Sequence, residues 1–299
     1  MELGLKIDVD TDRGTRIGVP NLLRLFDDLG VKATFLFSLG PDNTGRAIKR
    51  IFRRGFIGKV ARTNVIGVYG LRTLLNGVLL PGPRIGRRNE HVMRAVRDAG
   101  HEVGIHCYDH VRWQDGLAVM SPTEVEDEFG KARAEFERIF GVPARTAGAA
   151  GWQANALSLA AYEAARLDYA SDARGVSAFF PRIGMRVFRT LQLPTTLPTL
   201  DELLGRPEYP EARLADRYLS WLRADRPNVL TAHAEIEGMT RLDWFRDLLA
   251  FARQRSVKFV RLDEIAARLL RARDSIPVCD LVQGVVDGRS GTLAVQRCA

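Results

Sequence analysis

Two carboxylates and three imidazoles lie where an α/β protein collects catalytic groups. Asp8 and Asp10 stand two residues apart near the end of an apolar stretch that predicts a strand, so their side chains share one face. His106 and His110 follow a second predicted strand, and His233 ends a third. Because ligand-binding and catalytic groups concentrate at the carboxyl ends of parallel strands, these five side chains are candidates for one site.

The His-x3-His spacing suits metal binding. Imidazoles four residues apart on a helical turn point the same way and can chelate one metal ion. The spacing alone is weak evidence, since a polar loop can hold two unrelated histidines. The intervening Cys107 is expected to pack in the interior, with a thiolate ligand as the alternative. His233 could be a third ligand, a general acid or a satisfied core residue, and the two acids could be solvated side chains entering a turn.

Apolar patterns along the chain predict the elements that would position these groups. Strand-like and helix-like segments alternate, which predicts parallel strands with helices outside them, as an open sheet or a barrel. Ser121, Pro122 and Glu124 predict a capping box that opens a helix. The tail from Ser275 lacks periodicity and is expected to be poorly ordered, which leaves one catalytic domain over 1–274. Strands are predicted at 3–9, 33–37, 102–105, 145–149, 168–171, 186–192, 229–232 and 257–260, and helices at 20–29, 90–99, 122–140, 154–165, 213–224, 241–255 and 263–272.

The positive charge of the chain is confined to one segment. The 299 residues carry a formal net charge of +8, and 46% hydrophobic with 27% charged residues is typical of a globular protein. Residues 43–89, the basic segment, hold eleven basic residues and no acid, whereas the other 252 residues hold 33 basic and 36 acidic side chains. This distribution excludes an even cationic coat and indicates a localised anionic partner.

Apolar side chains interleave with cationic ones in the basic segment, as in an interfacial helix that Gly55 and Gly58 divide into two shorter ones. We expect it to face an anionic membrane surface, where each lysine or arginine contributes on the order of 1 kcal/mol. A solvated insertion and a nucleic-acid groove are the alternatives, but no nucleic-acid motif accompanies the segment, so no nucleic acid is expected as partner. The cations expected to face the membrane are Arg46, Lys49, Arg50, Arg53, Arg54 and Lys59.

The cysteine count and the apolar stretches indicate where in the cell the protein is expected. Cys107, Cys279 and Cys298 are too few and too odd in number for a disulfide framework, which favours a reducing compartment. The two N-terminal acids interrupt any signal-peptide core. The longest apolar stretch, 65–80, falls short of the ~20 residues that a spanning helix needs, so a soluble or surface-bound protein is expected.

The motifs together resemble the polysaccharide deacetylase family, also described as the NodB-homology domain or carbohydrate esterase family 4. The resemblance rests on Asp-x-Asp on the first strand, His-x3-His, a glycine-ended loop and a late Leu-x-x-His. Seven segments in the same order are similar, more narrowly, to deformylases of 4-deoxy-4-formamido-L-arabinose-phosphoundecaprenol, and they cover about residues 3–270. These segments are 7–16, 40–43, 102–106, 149–152, 171–175, 197–199 and 233–238.

The resemblance implies a fold and a reaction. The fold would be an irregular NodB-type β/α barrel with parallel strands inside and helices outside. The reaction would be metal-dependent hydrolysis of the formamide of the undecaprenyl-phosphate-linked sugar, at the cytoplasmic face of the bacterial inner membrane. Asp10, His106 and His110 would hold a divalent metal ion, with zinc favoured and cobalt, manganese and nickel as alternatives. Asp8 would be the general base, and His233 the general acid.

Other functions fit parts of the pattern. A deacetylase acting on another N-acylated sugar or polysaccharide would use the same residues. A non-catalytic module that binds anionic lipid or nucleic acid would leave the Asp and His set structural, and two histidines with one carboxylate could also belong to an iron oxygenase. The second aspartate and the late histidine favour hydrolysis, because amide cleavage needs both a base and an acid.

One loop departs from the family pattern. Many members carry Arg-x-Pro-x-Gly in the third motif, where the arginine orients the base, but the matching position here is Ala147. We expect Arg174 to pair with Asp8 in its place.

The resemblance also implies substrate contacts. The main-chain N–H of Ala150 or Gly151 could donate to an oxyanion. Trp152 and Glu235 are expected to line the sugar subsite, with buried packing as the alternative for Trp152.

Overall fold

The computed structural model describes residues 1–47 and 71–298. Residues 48–70, about half of the basic segment, lie outside these ranges. Arg46, one of the six cations predicted to face a membrane, is described and is exposed. Within the described ranges no helix has both the length and the apolar character needed to cross a bilayer. The predictions for Lys49, Arg50, Arg53, Arg54 and Lys59 fall outside the described residues.

Strands and helices alternate through most of the chain, as predicted. The strands are β1 (Glu2–Val9), β2 (Thr34–Ser38), β3 (Glu102–Cys107), β4 (Thr146–Ala147), β5 (Tyr169–Ala170), β6 (Phe180–Ile183), β7 (Arg186–Val187), β8 (Leu191–Gln192), β9 (Asn228–His233), β10 (Lys258–Val260), β11 (Val278–Gly284) and β12 (Leu293–Arg297). The helices are α1 (Val19–Leu29), α2 (Leu71–Leu75), α3 (Ile85–Asp98), α4 (His110–Gly116), α5 (Pro122–Phe140), α6 (Ala156–Ala164), α7 (Leu200–Leu203), α8 (Leu214–Trp221), α9 (Leu242–Gln254) and α10 (Leu262–Leu270).

A parallel sheet curled into a half-barrel forms the centre of the fold, with the helices around it. Its strands run in the order β10-β1-β2-β3-β4-β5-β8, and β9 also pairs with β1. Every pairing in this sheet is parallel, so the carboxyl ends of its strands meet at one edge. The predicted fold class, parallel strands inside and helices outside, is confirmed.

Strand β1 divides core from site by simple alternation. Leu5, Ile7 and Val9 are fully buried and join the main hydrophobic core beneath the helices. Lys6 and Asp8 lie on the opposite face, because successive side chains on a strand point to opposite sides. Both are also buried, so the inner face of the half-barrel carries charge rather than more apolar packing.

Local signals set the ends of α5. The Ser121 hydroxyl accepts the N–H of Glu124, and the Glu124 carboxylate accepts the N–H of Ser121, which is the predicted capping box. The helix ends at Gly141, whose φ of 72° lies in the left-handed region that favours glycine.

The C-terminal tail is ordered, which corrects the prediction for residues after Ser275. Strands β11 and β12 form an antiparallel hairpin, and β11 pairs with β6 in a second sheet of order β12-β11-β6-β7. Cys279 and Cys298 form a single disulfide at this hairpin, which the cysteine count did not anticipate, and the reducing compartment that the count favours stays a prediction. The count therefore does not decide the compartment.

One predicted strand needs correction, and β6 was missed. The segment 186–192, predicted as one strand, holds β7 and β8, which belong to different sheets. Strand β6 was not predicted, because its Phe-Pro-Arg-Ile sequence contains a proline, which argues against a strand interior.

Candidate active site

Three side chains from three elements converge at the carboxyl edge of the sheet. Asp10 directly follows β1, His106 lies near the end of β3, and His110 begins α4. The Nε2 atoms of His106 and His110 lie 3.3 and 3.4 Å from the two carboxylate oxygens of Asp10. One donor atom from each residue lies within 4.8 Å of the others, so this ligand group could hold one metal ion.

A main-chain carbonyl orients the ring of His106. His106 Nδ1 lies 2.6 Å from the carbonyl oxygen of Gly148. Because a carbonyl oxygen only accepts, Nδ1 carries the proton, and the lone pair of Nε2 faces Asp10. The next residue, Cys107, is buried with its Sγ 3.2 Å from the Ser38 hydroxyl and is not in the ligand group. Its predicted packing role fits these contacts.

The start of α4 positions His110. Asp109 is the N-cap of this helix, and its Oδ1 accepts the N–H groups of Val111 and Arg112. Its Oδ2 accepts from the side-chain amide of Asn43 at 2.6 Å. A strand end, a turn and a helix start therefore connect the two histidines, rather than the single helical turn on which their spacing was interpreted.

The charges and the unmet hydrogen bonds of the ligand group fit a divalent ion. Burial raises the pKa of Asp10, but His110, His106 and His233 outweigh it and hold that pKa below its usual range. The Oδ1 atoms of Asp8 and Asp10 are buried and have no hydrogen-bond partner among the described residues. A cation in the ligand group would satisfy the Asp10 oxygen. One ionised carboxylate and two imidazole nitrogens accept zinc, cobalt, manganese or nickel.

Asp8 lies beside the ligand group but outside it. Its Oδ1 is 3.8 Å from His106 Nδ1, the nitrogen that faces away from Asp10. Its Oδ2 is 3.4 Å from the Nζ of Lys6, whose side chain is fully buried. The sequence analysis missed Lys6, although a lysine two residues before Asp8 on a predicted strand must share its face.

Arg174 does not pair with Asp8, and that expectation is wrong. Its guanidinium forms an ion pair with Glu202 of α7 and donates to the carbonyl oxygen of Leu197 at 3.0 Å. Its main chain bridges to Val295 of β12. Arg174 is therefore held at the junction with the second sheet, where the buried carboxylate of Glu202 is its ion-pair partner.

His233 faces Asp8 across the pairing of β1 with β9. The two residues are register partners. Partners on neighbouring strands lie about 5 Å apart on one face. The Nδ1 of His233 is buried without a hydrogen-bond partner among the described residues. Its main-chain N–H donates to Glu237 at 2.8 Å, and burial raises the pKa of Glu237 to about 7. The ring of Trp152 packs edge-on against the imidazole, with 6.3 Å between centroids.

The glycine-ended loop after β4 forms a tight turn, Ala150–Trp152. Asp172 holds it by accepting a main-chain N–H of the loop at 2.7 Å, and burial raises the pKa of Asp172 to about 6. Gly151 has a φ of 61°, which favours glycine. Trp152 is only 2% exposed, so it forms a buried wall beside His233. The role of this loop in substrate binding stays a prediction.

Glu235 supports the chain that carries Asp10. It is buried, and its Oε1 accepts the N–H of Asp10 at 3.0 Å together with the N–H and the hydroxyl of Thr11. Burial, and next the charge of Asp10, raise the pKa of Glu235 well above its usual value. Its expected contact with the sugar stays a prediction, while these bonds show a structural task that its sequence position did not reveal.

Comparisons with known proteins agree with this geometry. The family model described as polysaccharide deacetylase matches residues 9–170. The chain is 38% identical over 296 residues to the probable 4-deoxy-4-formamido-L-arabinose-phosphoundecaprenol deformylase ArnD of Shewanella sediminis (strain HAW-EB3). The matched region covers 99% of this chain and 94% of that protein. It is 32% identical over 289 residues to the protein of the same name from Wigglesworthia glossinidia brevipalpis, covering 95% and 98%.

Solved structures share the fold at low identity. A Mycobacterium smegmatis crystal structure superposes with a TM-score of 0.64 at 16% identity, covering 95% of this chain and 94% of that one. A probable polysaccharide deacetylase from Pseudomonas aeruginosa PAO1 superposes with a TM-score of 0.59 at 16% identity, covering 90% and 91%. Because the family model spans more than half of the chain and the curated relatives span nearly all of it, the chain belongs to the polysaccharide deacetylase family.

Proposed function

We propose that this protein is a metal-dependent deformylase. Its substrate would be undecaprenyl-phosphate-linked 4-deoxy-4-formamido-L-arabinose, and its products formate and the 4-amino sugar lipid, an intermediate for lipid A modification. The observation that carries the proposal is the placement of Asp8 and His233 as register partners beside the ligand group. The names of two relatives that match along nearly the whole chain supply the substrate class.

The residues around the ligand group divide the chemistry of amide hydrolysis. A divalent ion held by Asp10, His106 and His110 would supply a Lewis acid for the formamide oxygen and a water of pKa ~7. Asp8 accepts a proton from the attacking water as the water oxygen bonds to the formamide carbon. His233 donates a proton to the sugar nitrogen as the C–N bond breaks, so the nitrogen leaves as an amine and the formyl group leaves as formate.

The small side chains of the loop after β4 support a compact acyl group. Ala149 and Ala150 are buried, and Gly151 has no side chain, so little volume is taken up next to Trp152. The main-chain N–H of Ala150 or Gly151 would donate to the oxyanion that develops on the formamide oxygen. Arg174, Trp152 and Glu235 would bound the sugar side of the site.

A described end of the basic segment supports docking on a membrane. Arg46 is exposed, and its Nε donates to the carbonyl oxygen of Gly77 at 2.9 Å. The next residues, Val78, Leu79 and Leu80, form an apolar tip and are 56%, 75% and 40% exposed. Exposed apolar residues beside a cation are typical of interfacial binding. The protein would therefore act as a peripheral protein at the cytoplasmic face of the inner membrane.

Product analysis tests the reaction. The purified full-length protein is incubated with formylated and acetylated lipid-linked aminoarabinose, and the lipids and free acids are measured by mass spectrometry. We expect formate and the amino lipid from the formylated substrate, loss of turnover in chelator, and recovery with one of the four metals. Preferred cleavage of the acetylated lipid would identify a deacetylase instead. Full turnover by chelated, metal-free protein would refute the metal-dependent mechanism.

Vesicle binding tests the membrane proposal, and the chain offers a matched control. Leu79 of the apolar tip and Val285 after β11 are 75% and 77% exposed. We expect Leu79→Ser to reduce co-sedimentation with phosphatidylglycerol vesicles, and Val285→Ser to leave it unchanged, with weak binding to phosphatidylcholine throughout. Equal binding of both variants, or binding to DNA in preference to anionic vesicles, would contradict docking by this tip.

A further inference from the structure

We propose that Lys6 is the positioning residue that orients the Asp8 carboxylate. The proposal rests on the proposed function, in which Asp8 is the general base. It assigns to β1 itself the task that other family members give to an arginine in the third motif, where this chain has Ala147 at the end of β4.

The contacts of Lys6 fix its ammonium group in one place. Its side chain is fully buried, and its Nζ donates to the carbonyl oxygen of Ser171 at 3.0 Å while lying 3.4 Å from Asp8 Oδ2. The same Nζ lies 5.2 Å from the ring centroid of Trp152, within the range of a cation–π contact. The Asp8 carboxylate, the Ser171 carbonyl oxygen and the Trp152 ring therefore hold the Lys6 ammonium in place.

Because Lys6 is fully buried, its ammonium group needs a partner that replaces the lost water. A lysine ammonium is compact and strongly hydrated, and taking it out of water is costly unless an anion and hydrogen-bond acceptors replace the water. Among the described residues, Asp8 is the only carboxylate within ion-pair distance of Lys6. A core position in a strand ordinarily takes an apolar side chain, so a lysine here serves Asp8 rather than packing.

The pairing divides the work between the two oxygens of Asp8. Oδ2 faces Lys6, while the buried Oδ1 has no hydrogen-bond partner among the described residues. Holding one oxygen prevents rotation of the carboxylate and leaves the other available to take a proton from the substrate side. A misplacement of about 1 Å in such a group can cost on the order of 100-fold in rate.

The geometry also separates Lys6 from the ligand group. Lys6 contacts Asp8 and Ser171, whereas the ligands are Asp10 and two histidines on β3 and α4. A Lys6 variant should therefore keep its metal ion and its substrate affinity and lose turnover.

Three variants test the role in full-length, metal-loaded protein. Lys6→Gln keeps a donor for Ser171 but removes the charge, and we expect kcat to fall about 100-fold with KM and metal content unchanged. Lys6→Arg restores the charge and should recover most of kcat. The control Thr231→Val changes the buried β9 register partner of Lys6, and we expect it to alter stability but not kcat.

A double variant distinguishes positioning from a structural role. If Lys6 acts through Asp8, Lys6→Gln should lower kcat no further when it is added to Asp8→Asn. Wild-type kcat in Lys6→Gln, or an equal further loss in the Asp8→Asn background, would overturn the proposal. If Lys6→Gln fails to fold, Lys6→Arg decides, because a folded, metal-loaded Lys6→Arg protein with no recovered turnover also overturns it. Wild-type protein that releases no formate would instead refute the proposed function.

Discussion

Replacing Asp8 with asparagine separates the tasks of two neighbouring carboxylates. Asp8→Asn removes the proposed base but leaves the ligand group intact, because the Asp8 carboxylate lies 3.8 Å from the His106 nitrogen that faces away from Asp10. A general base contributes roughly 100- to 10,000-fold, so we expect kcat to fall by that factor. Asp10→Asn removes the negative charge that lies within 3.4 Å of both histidines, so we expect it to lose the metal as well as turnover.

The same substitution has a cost in stability that follows from Lys6. Asp8→Asn leaves a fully buried lysine without its ion-pair partner. Breaking a buried pair in this way costs roughly 3–5 kcal/mol, and the asparagine oxygen still accepts a hydrogen bond, so we expect the lower end of that range. For a chain of this size the loss corresponds to a fall of about 5 °C in Tm. Replacing both residues, as Lys6→Met with Asp8→Asn, should restore part of it.

Three measurements on each variant decide the outcome. Formate release gives kcat, elemental analysis of the purified protein gives metal per chain, and thermal unfolding gives Tm. The reasoning is refuted if Asp8→Asn loses its metal as completely as Asp10→Asn, which would make Asp8 a ligand. It is equally refuted if Asp8→Asn keeps wild-type kcat. An unchanged Tm would show that Lys6 does not depend on Asp8.

Other regions of the chain allow further predictions. Burial, and next the charge of Asp263, raise the pKa of Glu102 to about 7, so its contribution to stability is complete below pH ~4.5 and is lost as the pH rises through 7. Glu102→Gln should remove on the order of 3 kcal/mol of that pH dependence, measured as Tm from pH 5 to 8. Gly18→Ala would put a Cβ 2.0 Å from a backbone oxygen and should cost about 2 kcal/mol or more, whereas Gly130→Ala, in open space on α5, should gain about 1 kcal/mol in denaturant unfolding. Reducing the C-terminal disulfide, which spans 19 residues, should lower the free energy of unfolding by roughly 3 kcal/mol in the same assay. An equal loss of stability in Cys298→Ser without reductant would attribute the effect to that bond.

Much of the architecture could be read from local patterns in the sequence. The apolar stretch through Leu5, Ile7 and Val9 predicted β1, and the two-residue spacing put Asp8 and Asp10 on one face. Ser121 and Glu124 identified the start of α5. These signals act over two to four residues, because a strand repeats every two residues and a helix cap closes on its own first turn. The residue types of the ligand group were also evident, since Asp10, His106 and His110 stand in recognisable motifs.

The partners of the charged residues depend on the tertiary structure. From the sequence, Arg174 was expected to orient Asp8, but in the structure Glu202 of α7 pairs with the arginine and Lys6 lies beside Asp8. Likewise, Glu235 supports the main chain at Asp10 from 225 residues away.

The C-terminal hairpin shows the same limit. Its strands have little periodicity of their own, but β11 completes a sheet begun by β6, about a hundred residues earlier. The sequence by itself therefore determined the elements and the chemical types of the site. The tertiary structure decided which charges pair, because an ion pair and a strand pairing are set by the segments that become neighbours in space.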